Sequence, residues 1–144
     1  MSNNLLKGKK GIIFGALDEK SIAWKTAIRA KEEGADFVLT NAPIALRMGT
    51  LNKLSDLTDS KIIPADATSL DDLENLVSET MSLFGGKIDF VLHSIGMSVN
   101  VRKGNLYTQQ KYDWTIKGLD VSALSFHKLM QVLYNNDSIE EWGS

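Results

Sequence analysis

"FGALDEKSIAW", residues 14–24, is the stretch on which the reading of this chain turns. An aliphatic run, Gly11-Ile12-Ile13-Phe14, leads into Gly15, and Ser21-Ile22-Ala23 then opens a segment with helical spacing. Strand, glycine and helix start, in that order, describe a loop able to cradle a phosphate. A helix N-terminus presents amide groups without intrahelical acceptors and the positive end of its dipole. Dinucleotide loops of this kind ordinarily carry three glycines, G-x-G-x-x-G, whereas here only the first survives. Gly15 supplies the backbone freedom needed where the chain leaves the strand. The longer excursion over residues 16–20 moves the helix start to Ser21. Its hydroxyl either caps that helix alone or also reaches a phosphate, and spacing leaves both open.

Outward from this loop, apolar runs alternate with amphipathic ones. Residues 21–34 read as helix, with Ala23, Ala27, Ala30 and Gly34 on one face, a stripe small enough for close approach to a sheet. Phe37-Val38-Leu39-Thr40 reads as a strand, residues 44–57 as helix, and Lys61-Ile62-Ile63 as a short strand stopped by Pro64. Residues 69–84 form the clearest helix, with Ser69 as N-cap, Asp71 and Asp72 in the first turn and Gly85-Gly86 at the end. A strand over 88–93, a long loop, and a helix over about 110–136, irregular near Gly118, complete the pattern. Strand–helix alternation at this spacing implies a Rossmann-like three-layer α/β/α fold with a parallel sheet.

Ligands of such sheets bind outside the carboxyl ends of the strands. Those ends carry Gly15-Ala16-Leu17, Thr40-Asn41-Ala42, Ala65-Asp66-Ala67 and Ser94-Ile95-Gly96. Small and polar residues at these junctions make a rim that a ligand backbone can approach closely.

Composition narrows the class. The chain has 144 residues, 43% hydrophobic and 24% charged, as one soluble globular domain would. Its net charge of -2 leaves no basic footprint for nucleic acid or an anionic membrane. No apolar run approaches the ~20 residues of a membrane span. Without cysteine, thiolate zinc sites and disulfides are excluded, and His93 and His127 lack the carboxylate neighbours of a metal site. With no signal-like segment at the start, the expected location is the cytoplasm.

"GALDEKSIAW" at 15–24, "ADA" at 65–67 and "DFVLHSIGMS" at 89–98 together resemble the enoyl-acyl-carrier-protein reductases, divergent members of the short-chain dehydrogenase/reductase superfamily. The resemblance runs from about Lys7 to Ser144. It implies hydride transfer from NADH or NADPH to an enoyl thioester on acyl carrier protein, in fatty acid synthesis. It also implies cofactor contacts at Gly15, Ser21, Ile22, Asp66, Ala67, Ser94, Ile95 and Gly96, with Ser98 near the acyl substrate. Asp66 would accept the adenine amino group, and Ala67 would leave room for the ring. Ile95 and Gly96 would lie against the ribose and nicotinamide, with Ile22 packing near the nicotinamide end. Simpler readings stand beside two of these, an Asx turn for Asp66 and a core position for Ile95.

The chain also departs from the family pattern. Lys25 stands where a glycine usually follows Ser-Ile-Ala-x. Ala42 stands where a polar residue commonly reads the adenosine ribose, leaving Asn41 as the nearest candidate. Asn41, Ala42 and Pro43 carry no charge, which favours NADH over NADPH, and Arg47 is the residue able to reverse that preference. The family's catalytic Tyr-x6-Lys pair has no counterpart, because Trp114, Leu119 and Glu141 follow the three tyrosines at that spacing. Tyr107-x3-Lys111 fits the broader superfamily spacing but follows the His-Ser-Ile-Gly loop too closely to be the catalytic pair. The expectation is therefore one cofactor-binding domain over residues 1–144, ending before the fifth strand and inactive alone. A truncated nucleotide-binding paralogue and a flavodoxin-like binding or signalling module are the alternatives. Self-association is expected, through an exposed edge at 88–93 or through the Leu124, Leu129 and Leu133 face.

Overall fold

The computed structural model describes residues 3–47 and 49–144. Its sheet has β1 (Lys10–Phe14) at the centre, β2 (Asp36–Thr40) on one side and β3 (Phe90–His93) on the other, all parallel. Ile12 stands opposite Val38 on one side and Val91 on the other. On central β1, Gly11 makes room for its neighbour, since a Cβ there would lie 2.3 Å from the Phe90 ring.

Alternation along β1 assigns the two helical layers. Ile13 packs on the side of α1 (Ile22–Glu32) and α3 (Thr50–Thr58), against Ala23, Ala27 and Leu54. Ile12 and Phe14 face α4 (Leu70–Phe84) and α7 (Ser125–Asn135), against Leu73, Leu76 and Leu133. The small stripe of α1 is buried as expected at Ala23, Ala27 and Ala30, but Gly34 lies beyond it. With φ +90° and its N–H on the Lys31 carbonyl, Gly34 turns the chain towards β2.

Several expected elements take a different form. The helix expected over 44–57 is split into α2 (Pro43–Leu46) and α3, with left-handed Gly49 at the N-cap of α3. Met48, within that expected helix, lies outside the described residues. The strand expected at 61–63 is reduced to one parallel bridge between Ile62 and Leu39; Pro64 has no N–H to give, and the chain beyond it adds only the Ala65 amide on the Asn41 carbonyl at 3.1 Å. The helix expected over 110–136 is α6 (Tyr112–Leu119), a π-helical turn (Asp120–Leu124) and α7. The loop before it holds α5 (Val99–Arg102), which periodicity alone did not indicate.

The edge expected to be bare at 88–93 is largely covered. After α7 the chain turns at Asp137, φ +47°, and runs back beside β3. Ile88 donates to the Ser138 carbonyl at 2.8 Å and accepts from Glu140 at 2.9 Å, while Ser144 donates to Asp89 and accepts from Val91. Leu129 and Leu133, expected to be exposed, are buried against α4, and Leu124 alone of the three faces outward. Among the described residues, no helix is long and apolar enough to cross a membrane.

The N-terminal turn is clamped by one carboxylate. Glu33 is buried, and its Oε2 accepts the amides of Asn3 at 2.9 Å and Leu5 at 3.2 Å, while Oε1 pairs with Arg29. The Leu5 amide first, then the Asn3 amide and the Arg29 charge, hold this carboxyl below its ordinary 4.5. A carboxylate with a depressed folded pKa contributes stability above the unfolded value, and that contribution disappears as pH falls through the folded value. Thermal melts below pH 4.5 should therefore show a smaller acid loss in Glu33→Gln than in the wild type, on a lower neutral-pH baseline. Parallel acid limbs would remove Glu33 from this role.

Candidate functional site

The strand–helix loop has replaced its missing glycines with side-chain braces. Gly15 leaves β1 at φ +91°, and a Cβ on it would sit 2.0 Å from the Ser94 carbonyl oxygen. The β1 and β3 turns therefore touch, with no space for a side chain between them. Beyond Gly15, side chains bind the successive loop carbonyls, two of them from distant segments. Asn41 Nδ2 donates to Ala16 at 3.1 Å, Thr50 Oγ1 to Leu17 at 2.5 Å, and Ser21 Oγ to Asp18 at 2.8 Å. The Asp18 carboxylate accepts the amides of Lys20 and Ser21, and Lys53 pairs with Glu19. An excursion without glycine holds one shape because five groups fix it.

Ser21 is used up by this shape. Its hydroxyl donates to Asp18 and accepts the amides of Leu17 at 3.3 Å and Trp24 at 3.4 Å, which exhausts its one donor and two acceptor sites. The hydroxyl therefore acts as loop brace and helix cap. The amides of Ile22 and Ala23 at the start of α1 remain without intrahelical acceptors. Asn41 is likewise committed, since its Oδ1 accepts the Ala42 amide at 2.9 Å while Nδ2 holds Ala16.

A crevice of about 340 Å³ opens at the carboxyl ends of the strands. Gly15, Ser94, Ile95 and Gly96 form one wall, and Asn41 with Ile44 and Ala45 of α2 form the other. Arg102, at the end of α5, also lines it. Arg102 is absent from the sequence-based site residues, because nothing in the local pattern shows where α5 points.

Of the other expected site residues, Ser21, Ile22, Asp66, Ala67 and Ser98 are not among those that line the crevice. Asp66 makes an Asx turn, with Oδ1 accepting the Thr68 amide at 2.8 Å and hydroxyl at 2.7 Å, and these bonds hold its carboxyl below the ordinary range. Its backbone N–H donates to Asp72 Oδ2 at 2.8 Å, and Ala67 is buried beside it. Ile95 packs against the core, as its simpler reading expects, and also lines the crevice. Ser98 caps α5, accepting the Val101 amide at 3.2 Å.

Behind the crevice, the π-helical turn fastens the loop after β3. Ser122 Oγ accepts the Met97 amide at 3.0 Å, and Gly118 lets α6 approach, since a Cβ there would lie 3.1 Å from the Met97 carbonyl. Ser125 Oγ donates its single proton to Val121 at 2.6 Å, so His93 Nε2, 2.8 Å away, is the donor of that pair. Burial holds the His93 pKa below 6.5, which keeps the ring neutral in this packed position against Phe14 and Phe126.

Comparison with known proteins gives the family. The family model described as enoyl-(acyl carrier protein) reductase matches residues 15–144. Enoyl-[acyl-carrier-protein] reductase [NADH] 1 of Rhizobium meliloti is 30% identical over 125 residues, covering 87% of this chain and 46% of its own length. Reductase [NADH] 2 of the same organism is 28% identical over 127 residues, 88% of this chain and 47% of its own. The solved FabI–NADH complex from Alistipes finegoldii superimposes with a TM-score of 0.94 at 60% identity, over 97% of this chain and 50% of that one. The chain thus spans about half the length of the relatives it matches.

Proposed function

Because the chain belongs to the enoyl-(acyl carrier protein) reductase family, we propose that it is the NADH-binding half of an enzyme reducing trans-2-enoyl thioesters carried on acyl carrier protein. The observation that carries this reading is the contact between the β1 and β3 turns. A left-handed Gly15 backed onto the Ser94 carbonyl leaves a bare backbone wall at the end of the sheet, where a pyrophosphate and ribose need room. The residues present fit a dinucleotide.

In this reading the Ile22 and Ala23 amides face the pyrophosphate, with Ser21 holding the loop that aims them. Asp66 accepts the adenine amino group beside Ala67. Ser94, Ile95 and Gly96 bound the ribose and nicotinamide, Ile22 packs at the nicotinamide end, and Ser98 stands by the acyl chain. NADH supplies the hydride; this chain's part is to bind and orient it. The similarity of the whole chain to reductases supports this over a flavodoxin-like module. Homo-oligomer formation is part of the proposal, through the exposed Ile116, Leu119, Leu124 and Phe126 surface rather than the β3 edge, which the C-terminal segment covers. A stable monomer at tens of micromolar in sedimentation velocity would remove it.

NADH is proposed over NADPH because Asn41 has both polar ends engaged, while Ala42 and Pro43 are uncharged. Arg47 is exposed and lies outside the crevice lining. Calorimetric titration should show NADH binding at least as tightly as NADPH, unchanged by Arg47→Ala. Tighter NADPH binding that Arg47→Ala abolishes would reverse the choice.

A further inference from the structure

We propose that Arg102 binds the pyrophosphate of the dinucleotide from the β3 side of the crevice, an inference that rests on the cofactor reading above. Arg102 lines a crevice whose other lining residues are uncharged, and its guanidinium has no ion pair or hydrogen bond among the described residues. By contrast Arg29, Lys9, Lys53 and Lys128 all pair with carboxylates. An unpaired guanidinium beside a bare backbone wall fits a diphosphate, which takes two parallel hydrogen bonds from it.

The arginine is placed by a buried amide. Asn100, in the same short helix, is 1% exposed and uses every hydrogen-bonding position on its side chain. Nδ2 donates to the Lys111 carbonyl and Thr115 hydroxyl, both at 3.1 Å. Oδ1 accepts the Lys111 amide at 3.0 Å and Asn105 Nδ2 at 2.9 Å. Ser98 caps the other end. Asn100 thereby fastens α5 to α6 and fixes which way the following turn points. With Asn100 turned inward and Val101 outward, Arg102 is left on the crevice. Asn41, Ile44 and Ala45 bring the β2 end, where a 2′-phosphate belongs, to the same crevice, so the two sites are separated by comparing NADH, which has only the pyrophosphate, with NADPH, which has both.

The test is calorimetric titration of the whole chain with NADH and NADPH, comparing wild type, Arg102→Gln and Arg102→Lys. Arg102→Gln should weaken both dinucleotides by about tenfold or more. Arg102→Lys should recover part of the loss, and the gap should narrow as salt is raised. Arg102 is exposed and anchors nothing, so its variants should melt with the wild type. Wild-type binding unaffected by Arg102→Gln overturns this inference and leaves the cofactor reading standing. Weakening confined to NADPH overturns the pyrophosphate assignment. A folded wild type that binds neither dinucleotide overturns the cofactor reading itself, and this inference with it.

Discussion

Gly15→Ala should abolish measurable NADH binding and lower folding stability by at least about 1–3 kcal/mol. Two costs fall on one methyl group. The backbone at φ +91° is one that side chains rarely adopt, and the new Cβ would sit 2.0 Å from the Ser94 carbonyl oxygen. Because the obstacle is backbone, no rotamer relieves it. The β1 and β3 turns must separate, and this moves Ser94, Ile95 and Gly96 away from the loop they face across the crevice. Gly96→Ala is the control, since nothing lies within 4 Å of a Cβ there, and it should leave stability near the wild-type value. Chemical denaturation with a parallel NADH titration reads both effects. Equal, small changes in the two variants would contradict the closed contact.

The second large effect is an absence of turnover. The 144 residues should bind NADH yet fail to oxidise it with a crotonyl thioester. The sequence lacks the Tyr-x6-Lys pair that the family resemblance calls for, and among the described residues no tyrosine lines the crevice. Lacking a hydrogen-bond donor to the thioester oxygen as hydride arrives typically lowers the rate by about 10²–10³-fold. Tyr107-x3-Lys111 is not a substitute. Tyr107 is 89% exposed in a single 3-10 turn, Lys111 lies 4.5 Å over the Trp114 ring, and neither lines the crevice. Thioester-dependent NADH oxidation above background would contradict this and direct attention to those two residues.

The layers were legible because they rest on local periodicity. Ile13 against the Ala23 and Ala27 stripe, and Ser69 capping α4, are interactions that spacing in the chain announces. The glycine-poor loop was legible only in outline. Gly15 and the Ser21 cap could be read, but not that the cap would exhaust the hydroxyl. The groups that hold the loop carbonyls, Asn41 and Thr50, come from 25 and 33 residues away. No window of local sequence contains those bonds.

The same limit explains Arg102. A four-residue helix is too short to show a face, and its direction depends on the Asn100 bonds to Lys111 and Thr115 across a loop. The covered β3 edge was missed for a related reason. A strand-like return over 138–144 is irregular, and it pairs through scattered backbone bonds rather than an alternating apolar pattern. The split of the second helical region was in principle visible at Gly49, whose φ of +72° marks a break that leucine spacing alone conceals. Asp66 stands between these cases. Its Asx turn was anticipated and is present, and only one of its two carboxylate oxygens is engaged by Thr68.

The central claim, that the crevice at the carboxyl ends of β1 and β3 holds a nicotinamide dinucleotide, is tested most directly by NADH titration of the ¹⁵N-labelled chain, followed amide by amide. The account predicts saturable shifts at Gly15, Ile22, Ala23, Ser94, Ile95 and Gly96. The cleft at the opposite end of the sheet, lined by Asp36, Ser55 and Leu83, should stay unchanged. A folded chain whose amides do not respond to NADH, or respond only at that opposite cleft, would contradict it.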